Sequence, residues 1–243
     1  MVLAGRVALV TGAGRRLGRA IAAALGARGM TLAIHHHASK QGAEALAREL
    51  EARGQAAALF DADLTDPVAA RELPGRVADR FGRLDVLVNS AAIMERRTVE
   101  ETTPEDWDRI FALNTRAPFF CAQGAIPFLR AVRGKIINLA DVGGLEPWTG
   151  YAAHSISKSA IVMLTKVLAR ALAPDVTVNA IAPGAVLVPD EWGQEPREHL
   201  ARTTPLKRLG SPEDVVNAVL YLLEGGDYVT GQTLVVDGGR LVR

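Results

Sequence analysis

Four residues near the start of the chain, Thr11–Gly14, have the composition of a phosphate cradle. They follow an apolar run, Val7–Val10, and precede a helical pattern. Glycines lack the Cβ atom that would keep a pyrophosphate away from the backbone, and the first N–H groups of a helix are unpaired and point toward an anion. An ordinary strand-to-helix turn is the alternative. Because the turn joins a first strand to a long helix, we expect it to bind a nucleotide through Gly12, Gly14, Leu17 and Gly18.

The end of the second predicted strand indicates which dinucleotide this turn would hold. In dinucleotide-binding folds an acidic residue at this point binds the ribose 2′-hydroxyl, whereas basic residues accept a 2′-phosphate. No acidic residue occurs from Thr31 to Lys40. The positive charges and hydrogen-bond donors found there and in the nearby turn favour NADP(H) over NAD(H). The candidate residues are Arg16, His35, His36, Ser39 and Lys40.

Three consecutive histidines, His35–His37, admit other interpretations. An exposed loop is one of them. A metal site is not expected, because adjacent residues of an extended chain point to opposite faces and no further cluster of ligands accompanies them.

Two acidic residues, Asp61 and Asp63, follow the third predicted strand. One of them could accept a hydrogen bond from an adenine amino group, and we keep Asp63 and Leu64 as candidate cofactor contacts. The alternative is that they cap the helix that begins near Pro67, although Asp66 is better placed to do so.

Apolar runs of strand length alternate with helical patterns along the whole chain. Such alternation predicts an α/β fold, a doubly wound parallel sheet of about seven strands with helices on both faces, in one domain spanning residues 1–243. Residues 90–103 and 183–210 lack strong periodicity, and we expect the segment 184–210 to be a substrate loop. The predicted strands are Val7–Val10, Thr31–His35, Ala56–Phe60, Val86–Asn89, Lys135–Leu139, Thr177–Ile181 and Thr233–Val236, and the predicted helices cover 15–28, 41–53, 67–81, 104–131, 152–173 and 212–223.

The composition argues against several classes of protein. The chain has 28 basic and 27 acidic residues, and this balance gives no reason to expect a nucleic-acid partner. No uncharged run is long enough to span a membrane, and Gly5 and Arg6 interrupt the apolar start that a signal peptide needs. Cys121, the single cysteine, stands among apolar residues, where an inert buried thiol is expected. We therefore expect a soluble cytoplasmic protein with neither nucleic-acid nor membrane partners.

Motifs along nearly the full length resemble those of the short-chain dehydrogenase/reductase family, which has a Rossmann-type fold. Thr11, Gly12 and Gly18 match its motif Thr-Gly-x-x-x-Gly-x-Gly, with Arg16 in place of the middle glycine. Asn89-Ser90-Ala91-Ala92 resembles Asn-Asn-Ala-Gly, and Pro183-Gly184 and Val236–Gly239 match later motifs. The resemblance adds Asn89, Ala91, Pro183 and Gly184 to the cofactor contacts.

Arg16 also resembles the corresponding residue of the pteridine reductase branch, which includes the bacterial dihydromonapterin reductases. The run Leu32–Ser39 is similar to that branch's His-rich segment for NADPH. The resemblance implies hydride transfer at nicotinamide C4, with a proton delivered to the substrate heteroatom. It assigns this chemistry to an Asn, a Ser, and a Tyr four residues before a Lys.

Asn114 and Lys158 match two members of that catalytic group. The lysine would hold the ribose hydroxyls and lower the pKa of the acid. Asp141 stands in the serine position at the carboxyl end of a strand, as in pteridine reductases, where it would be the acid or orient it. The alternative for Asp141 is a turn residue ahead of Gly143-Gly144.

The tyrosine position holds His154, and Tyr151 lies three residues earlier. On a helix, residues 151, 154 and 158 share one face. Three accounts follow. In the first, His154 is the acid, and Asp141 opposes the lowering of its pKa by the neighbouring lysine charge. In the second, Tyr151 is the acid and enters the site from the first helical turn. In the third, the acid is lost and the protein binds NADPH without ordinary turnover.

We expect the substrate pocket to be formed by Ala92–Arg97, Trp148 and the loop after Gly184. Ile93 and Met94 occupy the place where pteridine reductases stack the pterin on an aromatic ring, so Trp148 or Trp192 would have to replace that ring. The sequence therefore predicts an NADPH-dependent reductase of a carbonyl or pterin-like C=N group. An NADP(H)-binding protein without conventional turnover is the alternative. Ordinary 3-oxoacyl reduction is disfavoured by Arg16, Asp141 and His154.

The predicted helix 152–173 is apolar on more than one side, which indicates burial on both sides. We expect one stripe, containing Ile156, Met163 and Val167, to face the sheet and another, containing Ile161, Leu168 and Leu172, to remain outside. Family members pair such helices across a two-fold axis, so the resemblance implies a homodimer or, more readily, a homotetramer.

Overall fold

In the computed structural model, which describes residues 1–188 and 193–242, seven strands form one parallel sheet. Strands β1, β4 and β5 are buried along their whole length, and this explains the continuous apolar runs that mark them in the sequence. The strands are β1 (Val7–Val10), β2 (Thr31–His36), β3 (Ala57–Asp61), β4 (Val86–Asn89), β5 (Lys135–Leu139), β6 (Thr177–Pro183) and β7 (Thr233–Val236).

The strands lie side by side in the order β3-β2-β1-β4-β5-β6-β7. The order changes direction between β1 and β4, so a crevice opens at the carboxyl ends of these two strands, which is where such sheets bind ligands. The predicted doubly wound α/β sheet of about seven strands is therefore confirmed.

Helices cover both faces of the sheet. The long helix predicted over 104–131 differs in one respect, because a π-helical turn, Ala112–Arg116, lies between its two parts. The prediction of an irregular segment over 183–210 is wrong in part, because it contains a helix of ten residues. The helices are α1 (Arg16–Ala27), α2 (Lys40–Glu51), α3 (Pro67–Phe81), α4 (Pro104–Phe111), α5 (Ala117–Val132), α6 (Ala152–Leu172), α7 (Gln194–Thr203) and α8 (Pro212–Glu224).

Successive residues of each strand pack against opposite layers of helices. Ala8 and Val10 belong to a core shared with α1, α2 and α8, whereas Val7 and Leu9 belong to a core shared with α3, α5 and α6. This alternation follows from the two-residue period of a strand. The central strands β1, β4 and β5 therefore lie between two packed layers.

The prediction of which stripe of α6 faces the sheet is wrong. Ile161, Leu168 and Leu172 are buried, whereas Ile156, Met163 and Val167 are 50%, 58% and 53% exposed. Periodicity could not decide this, because both stripes are apolar. Polar contacts with β5 accompany the observed rotation, since Thr165 Oγ1 accepts a hydrogen bond of 2.9 Å from Asn138 Nδ2 and Lys158 Nζ donates to Leu139 O.

Thr11 ties the end of β1 to the segment after β4. Its hydroxyl oxygen accepts hydrogen bonds from Ser90 N at 2.9 Å and Ala91 N at 3.0 Å, and its own N–H donates to Val88 O at 3.0 Å. Thr11 is 2% exposed, so water does not replace these partners. The hydroxyl therefore holds together the two strand ends that border the crevice.

We expect Thr11→Val to lower the free energy of unfolding by about 2 kcal/mol, because valine keeps the shape but leaves two partly buried N–H groups without their acceptor. Urea denaturation measures this change. Thr11→Ser, which keeps the oxygen, is the matched control and should retain more of the stability. Equal stability of the valine and serine variants would contradict this role of the hydroxyl.

Candidate active site

The glycine turn after β1 is packed against two neighbours. Gly12 has φ +66°, and a Cβ atom at this position would lie 2.9 Å from Ala91 Cα. A Cβ atom on Gly14 would collide with the side chain of Ser39. Both positions therefore require glycine, and the turn comes close to the segment after β4 on one side and to the start of α2 on the other.

Arg16 occupies a position that normally favours glycine. Its φ is +52°, in the left-handed region. Its guanidinium Nη2 donates a 2.6 Å hydrogen bond to Leu187 O, in the segment after β6. In the described residues, no side chain caps the start of α1, so the first N–H groups of this helix are suited to an anion. Leu17 and Gly18 lie in this first turn.

His35 does not present a free ring nitrogen to a ligand. Its Nδ1 accepts a hydrogen bond from Gly12 N at 3.0 Å, and its Nε2 lies 3.0 Å from Ala62 O. The side chain is buried, and burial lowers the pKa of His35 to about 4 although the hydrogen bond to Ala62 O opposes this shift. The interpretation of His35 as a phosphate contact is therefore corrected, and the N–H of Gly12 is likewise committed to the protein.

His36 and His37 flank a carboxylate that the sequence analysis did not connect with them. Asp61 Oδ1 lies 3.9 Å from His36 Nδ1 and 3.8 Å from His37 Nδ1, because β2 and β3 pair in register at His36 and Asp61. His36 is buried, and its Nδ1 makes no hydrogen bond with the described residues. Lys40, whose side chain is 70% exposed, stands at the start of α2.

The candidate adenine and nicotinamide contacts have bonds of their own. Asp63 accepts hydrogen bonds from Thr65 N and Oγ1, at 2.9 and 2.7 Å, and these bonds lower the pKa of Asp63. Leu64 is buried. Asp66 caps α3, as the sequence favoured. Asn89 Nδ2 donates to Asn138 Oδ1 at 2.9 Å inside the sheet, so this side chain supports the strand ends instead of reaching into the crevice.

Pro183 and Gly184 lie at the end of β6, beside β7. Pro183 pairs with Val236, and Gly184 N donates to Val236 O at 2.9 Å. A Cβ atom on Gly184 would lie 2.8 Å from Asp237 Cα. These two residues therefore mark the far side of the crevice, where the segment toward α7 begins.

Lys158 and Asp141 meet at the carboxyl end of β5. Lys158 Nζ donates to Leu139 O at 2.7 Å, which leaves two of its three donors for other partners. Asp141 Oδ1 accepts a bond from Gly143 N at 2.8 Å and caps the turn Val142–Gly144. Asp141 thus uses one oxygen as a turn residue while its other oxygen remains for the site.

That second oxygen, Asp141 Oδ2, lies 3.7 Å from His154 Nε2. His154 Nδ1 is 3.3 Å from Ile93 O. The side chain of His154 is 3% exposed and that of Asp141 is 22% exposed. The aspartate therefore stands between the buried imidazole and the open side of the crevice.

Asn114, in the π-helical turn, holds the same loop that His154 contacts. Its Oδ1 accepts from Ile93 N and its Nδ2 donates to Ile93 O, each at 2.9 Å, and Nδ2 also lies 3.1 Å from Ser157 Oγ. Ser157 Oγ donates to His154 O at 2.7 Å. Ser157 was not predicted from the sequence, although its position one residue before Lys158 on a buried helix was a usable signal.

Tyr151 is not part of the helical face predicted for it. It lies before the first residue of α6, and its backbone pairs with Arg97 instead. Its ring is 6.2 Å from that of Trp148, which is also 6.5 Å from the imidazole of His154 and nearly parallel to it. Trp148 is therefore close to the site, as expected, whereas Trp192 lies outside the described residues.

Across 1–188 and 193–242, no three His, Cys, Asp or Glu side chains are arranged to hold a metal ion. In the same residues no helix is long and apolar enough to cross a membrane.

Comparison with known proteins agrees with this architecture. A family model described as "Enoyl-(Acyl carrier protein) reductase" matches residues 12–240. The 3-oxoacyl-[acyl-carrier-protein] reductase FabG of Staphylococcus aureus is 37% identical over 96% of each chain. Versicolorin reductase of Emericella nidulans is 35% identical over 98% of this chain and 96% of its own. A solved short-chain dehydrogenase/reductase mutant from Serratia marcescens superimposes with a TM-score of 0.91 at 34% identity, over 99% of each chain.

The fold and these similarities define an oxidoreductase of the α/β class. More particularly, the chain belongs to the short-chain dehydrogenase/reductase family, whose members use a nicotinamide cofactor.

The buried Lys158 should make stability depend on pH. Burial lowers its pKa from 10.5 to about 8, against the attraction of Asp141, which raises it. Between these values the unfolded chain retains a proton that the folded protein has released, so the free energy of unfolding rises with pH. We expect a rise of about 3 kcal/mol across this interval in urea denaturation. The Lys158→Met variant should lack this rise in the free energy of unfolding. An identical pH profile in both proteins would contradict the attribution of the rise to Lys158.

Proposed function

We propose that this protein is an NADPH-dependent reductase of a carbonyl or pterin-like C=N group, in which His154 and Asp141 together replace the usual tyrosine. The observation that carries the proposal is the cluster of Asp141, His154 and Lys158 at the carboxyl end of β5. NADPH, when bound, supplies a hydride for the substrate carbon, so the protein must supply a proton for the adjacent oxygen or nitrogen.

The hydrogen bonds of His154 indicate which nitrogen would handle that proton. Ile93 O can only accept, so Nδ1 carries a hydrogen and Nε2 faces Asp141 Oδ2. Nε2 is buried and makes no hydrogen bond with the described residues. A nitrogen lone pair opposite a carboxylate is unfavourable, and one proton held by the pair removes the conflict. We infer that this proton passes to the substrate heteroatom by way of Asp141, the more exposed member.

Lys158 would bind the cofactor ribose through the donors that Leu139 O leaves free, and its positive charge would favour ionisation of a neighbouring acid. Asn114 would act indirectly as a positioning residue, because its two bonds to Ile93 hold the carbonyl that orients His154. Tyr151 has no comparable support, since it precedes the helix and its ring packs near Trp148.

The proposed preference for NADP(H) rests on the basic side chains around the glycine turn and α2. Arg16 and Lys40 are exposed near the uncapped starts of α1 and α2, and Ser39 makes no side-chain cap there among the described residues. Asp61 is an opposing charge at the same edge. Comparison of the NADPH and NADH affinities tests whether the positive charges of Arg16 and Lys40 outweigh the negative charge of Asp61.

A second substrate class is favoured by the relatives. Proteins named 3-oxoacyl-[acyl-carrier-protein] reductase are 35–37% identical to this chain over nearly its full length. A 3-oxoacyl thioester therefore belongs in the same assay as dihydropterins and small ketones.

We expect His154→Ala to lower the rate of NADPH oxidation at least about 100-fold, because it removes the proton source. NADPH affinity should change by less than about threefold, since the side chain does not belong to the cofactor turn. Tyr151→Phe is the matched control and should retain most of the rate.

Other outcomes separate the alternatives. Near-zero effects of both substitutions would remove the acid assignment. Tight NADPH binding without oxidation in the presence of any of the three substrate classes would favour a cofactor-binding protein without conventional turnover. Activity limited to the 3-oxoacyl thioester would decide against the pterin-like class.

We also propose that two copies pair through the exposed stripe of α6, which contains Ile156, Met163 and Val167. Phe119 of α5 is a further large apolar side chain, 41% exposed. Apolar side chains exposed on adjacent turns of one helix favour burial against a partner, and a two-fold axis lets the same stripe serve both copies.

Met163→Glu should shift the protein toward the monomer in sedimentation velocity at micromolar concentration, because pairing would then bury a charge in each copy. The wild-type protein should sediment as a dimer or tetramer. Val2→Glu, another exposed apolar residue far from α6 in the chain, is the control and should leave the assembly unchanged. A monomeric wild-type protein would overturn the proposal.

A further inference from the structure

His35 makes an unusual set of contacts for a residue beneath a cofactor turn. Its ring bonds to Gly12 N on one side and to Ala62 O on the other, each at 3.0 Å. Its backbone carbonyl accepts a further bond from Ala13 N at 2.9 Å. One residue of β2 therefore connects the glycine turn after β1 with the segment after β3.

Only one form of the imidazole satisfies both ring contacts. Ala62 O can only accept, so Nε2 must carry the hydrogen, and Gly12 N–H can only donate, so Nδ1 must keep its lone pair. A doubly protonated ring would direct an N–H group at another N–H group. The side chain is buried, and the charged or titratable groups around it are His36, His37 and Asp61.

The bond to Gly12 also determines which part of the turn can bind an anion. Thr11 N donates to Val88 O, Gly12 N to His35 and Ala13 N to His35 O. The first three N–H groups of the turn are therefore committed to the protein. Backbone contacts with a phosphate must come from residues after Ala13, whose position depends on how the preceding turn is held.

We propose that His35 is a positioning residue for the cofactor, acting through the hydrogen bond from Gly12 to its Nδ1. The neutral ring keeps the glycine turn in the conformation that presents the start of α1 to a phosphate. This inference rests on the proposed binding of NADP(H), and it makes His35 a support of the turn, not a contact of the 2′-phosphate.

Two amide substitutions separate the two ring contacts. The Oδ1 atom of an asparagine can take the place of Nδ1, whereas the amide nitrogen of a glutamine can take the place of Nε2. His35→Asn therefore keeps an acceptor for Gly12, and His35→Gln keeps a donor for Ala62 O. His35→Leu removes both and retains comparable bulk.

The measurement is the dissociation constant of NADP⁺ by isothermal titration calorimetry, with urea denaturation of each variant alongside. We expect His35→Leu to weaken binding about tenfold, the free energy of one buried hydrogen bond. His35→Asn should recover most of the affinity and His35→Gln should not. Wild-type affinity in the leucine variant, or equal recovery by both amides, would overturn the proposal.

A second measurement needs no cofactor and does not depend on the variants folding. Nitrogen-15 NMR of the ring in the ligand-free wild-type protein should give the Nε2–H tautomer, unchanged from pH 7 to pH 5.5. The opposite tautomer, or a protonated ring in this range, would overturn the inference. Absence of wild-type binding to NADP⁺ or NAD⁺ would refute the proposed function and, with it, the cofactor role of His35.

Discussion

The structure depends on the side-by-side meeting of strand ends at the centre of a parallel sheet. Parallel pairing brings all carboxyl ends to one edge, and the change of direction between β1 and β4 opens the crevice there. That edge leaves backbone groups that the ladder does not satisfy, and short polar side chains satisfy them. Thr11 bonds to the segment after β4, and Asn89 links β4 to β5 through Asn138. These contacts position the loops that carry the chemistry.

The loop after β4 is held to the rest of the site through the backbone of one residue, Ile93. Both the N–H and the carbonyl of Ile93 form hydrogen bonds with Asn114, and the carbonyl oxygen also lies within hydrogen-bond distance of His154 Nδ1. The π-helical turn that contains Asn114 widens the helix locally and turns this side chain toward the loop, a common setting for functional residues. The loop after β4, His154 and Asn114 are thus parts of one hydrogen-bonded unit.

Much of the fold was predictable because its elements are long, apolar and punctuated. Four strands, including β1 and β5, begin and end where the sequence predicted, since continuous apolar runs bounded by turn residues admit little else. The rotation of α6 was not predictable, because two apolar stripes compete and the polar contacts of Thr165 and Lys158 with β5 do not show in the hydrophobic pattern. Helix α7 was missed, since the surrounding prolines suggested an irregular segment.

The residues of the candidate site could be named from the sequence, but the contacts between them could not. The positions of Asp141, His154 and Lys158 follow from motif spacing, and the structure brings all three to the end of β5. The pairing of His36 with Asp61 depends on strand register, which a linear pattern does not contain. His35 was misassigned for a related reason. The alternation of side chains along β2 directs the ring of His35 toward the glycine turn. Gly12, after β1, and Ala62, after β3, then occupy its two ring nitrogens.

Arg16 links the two sides of the crevice, the start of α1 and the segment after β6. A left-handed arginine costs on the order of 1 kcal/mol relative to glycine, and its guanidinium bond to Leu187 O is the compensating contact. The first turn of α1 and the segment after β6, 171 residues apart in the chain, therefore share one hydrogen bond. Thermodynamic linkage makes such a connection symmetrical. An anion that draws the guanidinium away from Leu187 releases that segment, and a substrate that fixes the segment restrains the arginine by the same free energy.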